Sequence, residues 1–205
     1  FVRSILRSCD RVICLSTEWS NIFRKELDLL NLDVVLNPVR SYPFQPYRDS
    51  FTSIIMLFLG TITDNKGIFE LVNYLHSNPA YLQHKIKLII CGEGESDRLL
   101  SLINSENHVG KIFYAGWVNG VKKDELIAET DIFILPSHFE GLPMAILEAM
   151  SAGAPVICSD IHGYRAVVRR ERDGILVPPA DADALADALA RVIHDPELKA
   201  RLSAA

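Results

Sequence analysis

From residue 53 onward the chain alternates between short apolar runs and amphipathic stretches, and few folds accept that order. The runs are SIIMLFLG (53–60), IKLIICG (86–92), KIFYAG (111–116), DIFILP (131–136), APVICSD (154–160) and GILVP (174–178). Most are apolar at every position, as strands covered on both faces are. Between them lie stretches with helical spacing: KGIFELVNYLH, SDRLLSLINSE, KKDELIAET, PMAILEAMSA, a short one near Tyr164 to Arg170, and ADALADALARVIH. Strand and helix alternate throughout, which predicts parallel βαβ units in a doubly wound, mostly parallel, Rossmann-like sheet. Ligands of such sheets bind outside the carboxyl ends of the strands.

The first fifty residues break the pattern. DRVICLS reads as a strand, EWSNIFRKELDLL as a helix and LDVVLNP as another strand, followed by the irregular VRSYPFQPYRDS with two prolines and three aromatics. A lone strand-helix-strand cannot bury both its faces, so we expect residues 1–45 to be the end of another domain plus a linker. Residues 46–194 form the Rossmann-like unit, and 195–205 begin a further helix with Asp195 as N-cap and Pro196 in its first turn. FVRSILRSCD carries apolar and Arg positions that would suit a membrane surface, but packing against another half of the protein is the simpler reading.

Composition removes several classes of function. Of 205 residues, 49% are hydrophobic and 23% charged, with a net charge of −5, so the chain can build a core but has no basic excess for a phosphate backbone. Nucleic acid is therefore not an expected partner. Cys9, Cys14, Cys91 and Cys158 form no C-x-x-C pair and read as reduced thiols, three of them in apolar runs. No apolar stretch reaches the roughly 18–20 residues of a membrane span, and no secretory signal is evident, so a cytoplasmic location is expected. His138 and His162 stand where they could face a ligand, although solvated or core-edge roles are commoner. Neither they nor any carboxylate-rich loop has metal-ligand spacing, so no metal or cofactor is expected.

The segment PSHFEGLPMAILEAMSAGAPVICSD (136–160) poses a specific problem. Pro143 suits the first position of a helix and Gly153 its end, and between them only Glu148 and Ser151 are polar, which predicts a helix buried nearly all round. A buried carboxylate must find a partner. Either a Lys or Arg from a neighbouring element completes Glu148, or ligand hydroxyls do, and the helix alone does not choose. Glu140, just before the helix start and beside Gly141, shifts the balance toward a ligand, because free N–H groups and the helix dipole there favour an anion. Eight positions of helix would separate the two acids by roughly 12 Å, a span suited to an extended ligand with a phosphate in its middle. On that reading sugar hydroxyls, rather than protein cations, complete both acids.

This segment resembles the signature of family-four retaining glycosyltransferases of the GT-B fold, with Glu, seven residues and Glu across the donor site. Pro136, Ser137, Gly141, Ala149, Met150, Gly153, Pro155 and Asp160 also fall on the family pattern. The resemblance implies that the chain is the C-terminal, donor-binding half of a GT-B enzyme with a fragment of the N-terminal half. The implied reaction transfers a hexose from a nucleoside diphosphate sugar, with retention and without a metal, to a saccharide or lipid-linked acceptor. Any acceptor or membrane contact would come through the other half. The resemblance also implies that Glu140 contacts the donor hexose, that Glu148 accepts from the ribose hydroxyls, and that Gly141, Leu142 and Pro143 line the donor.

FLGTITDNKGIFELV then matches the family's diphosphate loop, with Gly60 and Lys66 at donor positions and Lys66 beside the leaving group. Thr61 stands where the family carries Arg, which removes one cation. CGEGES lacks the third glycine of a dinucleotide fingerprint, with Asp97 in its place, so NAD is discounted. Gly92 there and Val118 in GWVNG instead correspond to walls near the base, though tight strand-to-helix turns explain them equally well. Arg165 replaces a Glu common in relatives. Trp19 and Trp117 could stack on a ligand, but core packing is the commoner role for such aromatics. Two alternatives stay open: a donor-binding module that transfers nothing by itself, and a GT-B nucleotide-sugar epimerase.

Overall fold

The computed structural model describes residues 2–42, 54–78, 86–105 and 111–204. The main unit is a six-stranded, wholly parallel sheet of β3 (Ile54–Leu59), β4 (Ile86–Cys91), β5 (Ile112–Gly116), β6 (Ile132–Leu135), β7 (Val156–Ser159) and β8 (Gly174–Val177). Every strand lies within two residues of the run that predicts it. All residues of β6, β7 and β8 are buried, because helices cover both faces and leave no side of the pleat for polar groups.

The helices are α3 (Ile68–Ser77), α4 (Ser96–Asn104), α5 (Gly120–Ala128), α6 (Met144–Ser151), α7 (His162–Arg165), α8 (Ala182–His194) and α9 (Pro196–Ser203). Each long helix buries one stripe: α3 puts Ile68, Leu71, Val72 and Leu75 inside, and α8 puts Leu185, Ala188, Leu189 and Val192 inside, at the spacing of one helical face. Asp181 and Asp195 cap α8 and α9 by accepting from Ala184 N and Leu198 N, each at 2.9 Å. A buried ion pair, Lys199 Nζ to Asp131 Oδ1 at 3.1 Å, ties α9 to the start of β6.

Strand order across the sheet is β5-β4-β3-β6-β7-β8. The chain winds outward from β3 to β5, then returns to the other side of β3 and winds outward again. The reversal falls between β3 and β6, whose following loops hold Lys66 and Glu140.

The N-terminal residues form α1 (Val2–Ser8), α2 (Thr17–Leu27) and a separate two-stranded parallel sheet of β1 (Val12–Cys14) and β2 (Leu32–Val34). Val12, Cys14, Leu29 and Leu32 make a small apolar cluster apart from the main core. α1 buries none of its residues, and Val2, Ile5 and Ile13 are exposed. Most of the expected linker, and the expected boundary at 45/46, lie outside the described residues. Tyr42, at its start, is buried in the main core and gives its O–H to Asp124 Oδ1 at 3.1 Å.

Three expectations need correction. Pro143 is the N-cap, with extended ψ of 127°, rather than the first helical residue, and α6 starts at Met144. α6 is also less buried than its composition predicts: only Ile146 and Ala149 are covered, and Met144 is 38% exposed, because one side of this short helix faces out from the sheet. Finally, the helix expected over 164–170 is the single turn of α7. The Arg169 N–H is taken instead by Asp173 Oδ2 at 3.1 Å, which bends the chain into β8.

Candidate functional site

Lys66 reaches the site because the chain leaving β3 turns tightly. A 3-10 turn, Asp64–Lys66, ends at Gly67, whose φ of 67° opens α3. A Cβ on Gly67 would lie 2.2 Å from the Pro136 carbonyl oxygen, so only glycine lets this turn sit against the end of β6. Gly92 does the same for the neighbouring strand: its φ is 149°, and a Cβ there would lie 1.8 Å from Gly60 O. The glycines of CGEGES therefore serve the close approach of the 60–62 and 92–94 backbones, with Gly94 bridged to Ile62.

The β3 loop and the β6 loop are joined by several contacts. His138 N donates to Asn65 O at 2.8 Å, and Asn65 Nδ2 to Phe139 O at 3.0 Å. His138 Nε2 lies 2.8 Å from Glu70 Oε2. At the centre the Lys66 ammonium contacts Glu140 Oε1. The same oxygen accepts from Ser137 Oγ at 2.9 Å and lies 3.4 Å from the Tyr164 phenol. Tyr164 Oη in turn donates to Ser137 Oγ at 2.9 Å. Burial, and after it the Glu140 charge, push the Tyr164 phenol far above its ordinary range, so it remains a proton donor.

Glu148, on α6, accepts from Lys123 Nζ of α5 at 2.6 Å. The expectation that no protein cation completes the two acids is thus overturned: each carboxylate has a lysine. The reason is the cost of burial. The Glu140 and Glu148 side chains are only 10% and 14% exposed, and a carboxylate so covered draws in whatever cation its neighbours can extend. The all-helical spacing between the acids does not hold either, since residues 140–143 precede the helix.

A crevice nevertheless lies beside Glu140. A cavity of about 200 Å³ is walled by Trp19, His138, Phe139, Glu140, His162 and Arg165, with Asp160 and Ile161. Trp19 enters from α2, donating its indole N–H to Gly141 O at 2.9 Å and meeting Phe139 edge-on. It lines this crevice, a position its sequence context does not single out. Trp117 is 63% exposed. Asp160 is held by Arg165 at 2.5 Å and by Arg170, and the Arg165 hydrogen bond keeps its carboxyl below the ordinary range. A larger cavity, about 470 Å³ between α3 and α8, has Glu70, Asp181 and Asp183 on its wall and, among the described residues, no basic side chain, which does not suit a diphosphate.

Of the other residues singled out in the sequence, Gly60 follows β3, giving its N–H to Cys91 O at 3.0 Å, and Thr61 is exposed beside it. Gly141 and Pro143 are half-buried and Leu142 is buried. Val118 sits in the main core, 7% exposed. The sequence reading missed Asn65, Lys123 and Tyr164, which have no motif and become visible only through what they touch. Among the described residues no three His, Cys, Asp or Glu side chains group as a metal site. Among them, too, no helix is long and apolar enough to cross a membrane.

Comparison with known proteins agrees with this layout. The model for glycosyl transferases group 1 matches residues 45–205. The chain is 33% identical over 203 residues to the UDP-Gal:alpha-D-GlcNAc-diphosphoundecaprenol alpha-1,3-galactosyltransferase of Escherichia coli, covering 90% of this chain and 51% of that protein. It is 32% identical over 154 residues to the phosphatidyl-myo-inositol mannosyltransferase of Mycobacterium leprae, covering 73% and 40%. S. aureus TarM, solved in a complex that includes UDP, shares the fold with a TM-score of 0.86 at 18% identity, over 99% of this chain and 41% of that one. The chain therefore spans about half or less of these relatives. With its parallel sheet, its two joined loops and a family match over most of its length, the chain belongs to the glycosyl transferases group 1 family.

Proposed function

We propose that this chain is the donor-binding half of a retaining hexosyltransferase that takes a nucleoside diphosphate sugar. The observation that carries the reading is the meeting of Lys66 and Glu140 at the point where the sheet reverses its winding. An ammonium there suits a diphosphate, and a carboxylate beside it suits sugar hydroxyls. The E. coli relative, which covers nearly the whole chain, carries UDP-Gal in its name, which supports a sugar nucleotide as the ligand.

On this reading Lys66 leaves Glu140 to neutralise the diphosphate, helped by the amides at the start of α6. Glu140 is thereby released to the hexose, and Glu148 takes the ribose hydroxyls in place of Lys123. Gly60, Thr61, Gly92, Gly141, Leu142 and Pro143 form the backbone cradle. Stabilising the leaving diphosphate is this half's main contribution to the rate, without a metal or cofactor. Residues 1–45 belong to the acceptor-side domain, 46–194 are the donor domain and 195–205 carry a C-terminal helix. The acceptor, a saccharide or lipid-linked sugar, meets the rest of the enzyme in the cytoplasm.

Isothermal titration with UDP- and GDP-sugars, paired with a transfer assay, tests the reading. Binding with transfer is expected of the full-length enzyme. Binding without transfer by this chain supports a donor module, and conversion of the sugar without any acceptor indicates an isomerase. No binding of either nucleotide class defeats the proposal.

A further inference from the structure

Three groups crowd one oxygen of Glu140. Lys66, Ser137 and Tyr164 all approach Oε1, and among the described residues none donates to Oε2. A carboxylate held by one oxygen has its other oxygen aimed by the contact, and Glu140 lines the 200 Å³ crevice. The three groups differ in permanence. Lys66 has a long, flexible stem and is 18% exposed, whereas Ser137 and Tyr164 are wholly buried.

How Tyr164 gets there is written in its neighbour. A Cβ on Gly163 would lie 2.5 Å from Glu140 O and 2.6 Å from Gly141 O, so only a glycine allows α7 to press against the 140–141 backbone. That approach brings the next residue's phenol under Ser137. α7 is a single turn, and its first backbone N–H groups are not what reaches Glu140; the side chain of Tyr164 is.

We propose that Tyr164 is a positioning residue for Glu140, fixing the carboxylate through Ser137 so that Oε2 stays aimed at the donor sugar after Lys66 has moved to the diphosphate. The inference rests on the donor-binding reading above and adds a residue to it. Without this pair, a Glu140 that has lost its lysine would be free to rotate in a niche that is only 10% exposed. With it, the carboxylate keeps two fixed neighbours whether or not the donor is bound. Tyr164 touches no ligand itself.

The test compares two affinities in one protein. Tyr164→Phe removes the hydroxyl and keeps the ring, so the core should hold, and Ser137→Ala cuts the same link while leaving the phenol in place. Titrate wild type and both variants with UDP against UDP-galactose, and with GDP against GDP-mannose, and record thermal unfolding. The expected result is unchanged affinity for the bare diphosphate, with affinity for the sugar nucleotide falling roughly three- to tenfold, the worth of one net hydrogen bond. A structural defect would weaken both ligands together. If wild type binds and both variants keep the wild-type ratio of the two affinities, Tyr164 has no positioning role and the donor reading stands. If wild type binds none of the four, the donor reading falls and the Tyr164 role falls with it. Should Tyr164→Phe unfold, Ser137→Ala decides by the same ratio.

Discussion

Glu148 and Lys123 face each other across α6 and α5, the ammonium donating to Oε1 at 2.6 Å, with the lysine side chain 26% and the glutamate 14% exposed. A lysine that is partly in water can leave, and a carboxylate that is mostly covered cannot. On the proposed reading the pair is exchangeable, with ribose hydroxyls taking the lysine's place. Glu148→Gln should keep the fold, since an amide fills the same volume and Lys123 can turn to solvent. Affinity for the nucleotide should fall by roughly tenfold, the loss of a hydrogen bond to a charged group. Calorimetric titration checks this, and an unchanged dissociation constant removes Glu148 from the donor site.

Thr61 stands exposed beside Gly60, on the loop that carries Lys66. Thr61→Arg adds a planar cation near Lys66, the residue that the proposed reading gives to the diphosphate. UDP should bind roughly three- to tenfold more tightly at low salt. The gain should shrink as ionic strength rises, because an exposed charge is screened over about 10 Å at 0.1 M salt. Titration at two salt concentrations measures both effects; a gain of the same size at both would mean the arginine acts by something other than its charge.

Gly67→Ala should destabilise the protein by about 2 kcal/mol or more. The new methyl would meet Pro136 O at 2.2 Å in a backbone with φ of 67°, and neither carbonyl nor helix start can move independently. Urea unfolding gives the number. Because the same contact places Lys66, nucleotide affinity should fall alongside stability, and a variant that loses one without the other would separate the turn from the site.

Acid sensitivity is set in part by Asp173, whose carboxyl the Arg169 hydrogen bond holds below its ordinary 3.8. A carboxyl depressed in the folded state stabilises that state at pH above the unfolded value. Its contribution is lost as pH falls below 3.8 and through the lower folded value. Asp173→Asn should therefore lower stability at neutral pH and flatten the decline as pH falls below 3.8. Melting temperature followed across that range tests it; a parallel, undiminished decline in the variant would assign the acid limb to other carboxylates such as Asp160.

What the residues announce by themselves is local. Strand bounds follow from runs such as DIFILP and APVICSD, because a β-strand covered on both faces must be apolar at every position, and that requirement is visible within six residues. The cap Asp195 is legible for the same reason: donor and acceptor lie three positions apart. The Glu140 to Asp160 segment carries its own family resemblance, and the turn glycines stand where backbones meet.

Partnership across the sheet is not local, and there the sequence is silent. Lys66 and Glu140 are 74 positions apart, and Tyr164 and Ser137 are 27 apart. Nothing in the spacing of either pair requires contact. The strand order decides it, by setting β3 beside β6 and letting the loops after both strands meet at one edge. The sequence could pose the choice between a protein cation and a ligand for two covered carboxylates, because burial cost depends on residue type and pattern. Only the tertiary structure could say which lysines answer it, because an ion pair depends on where two side chains end in space.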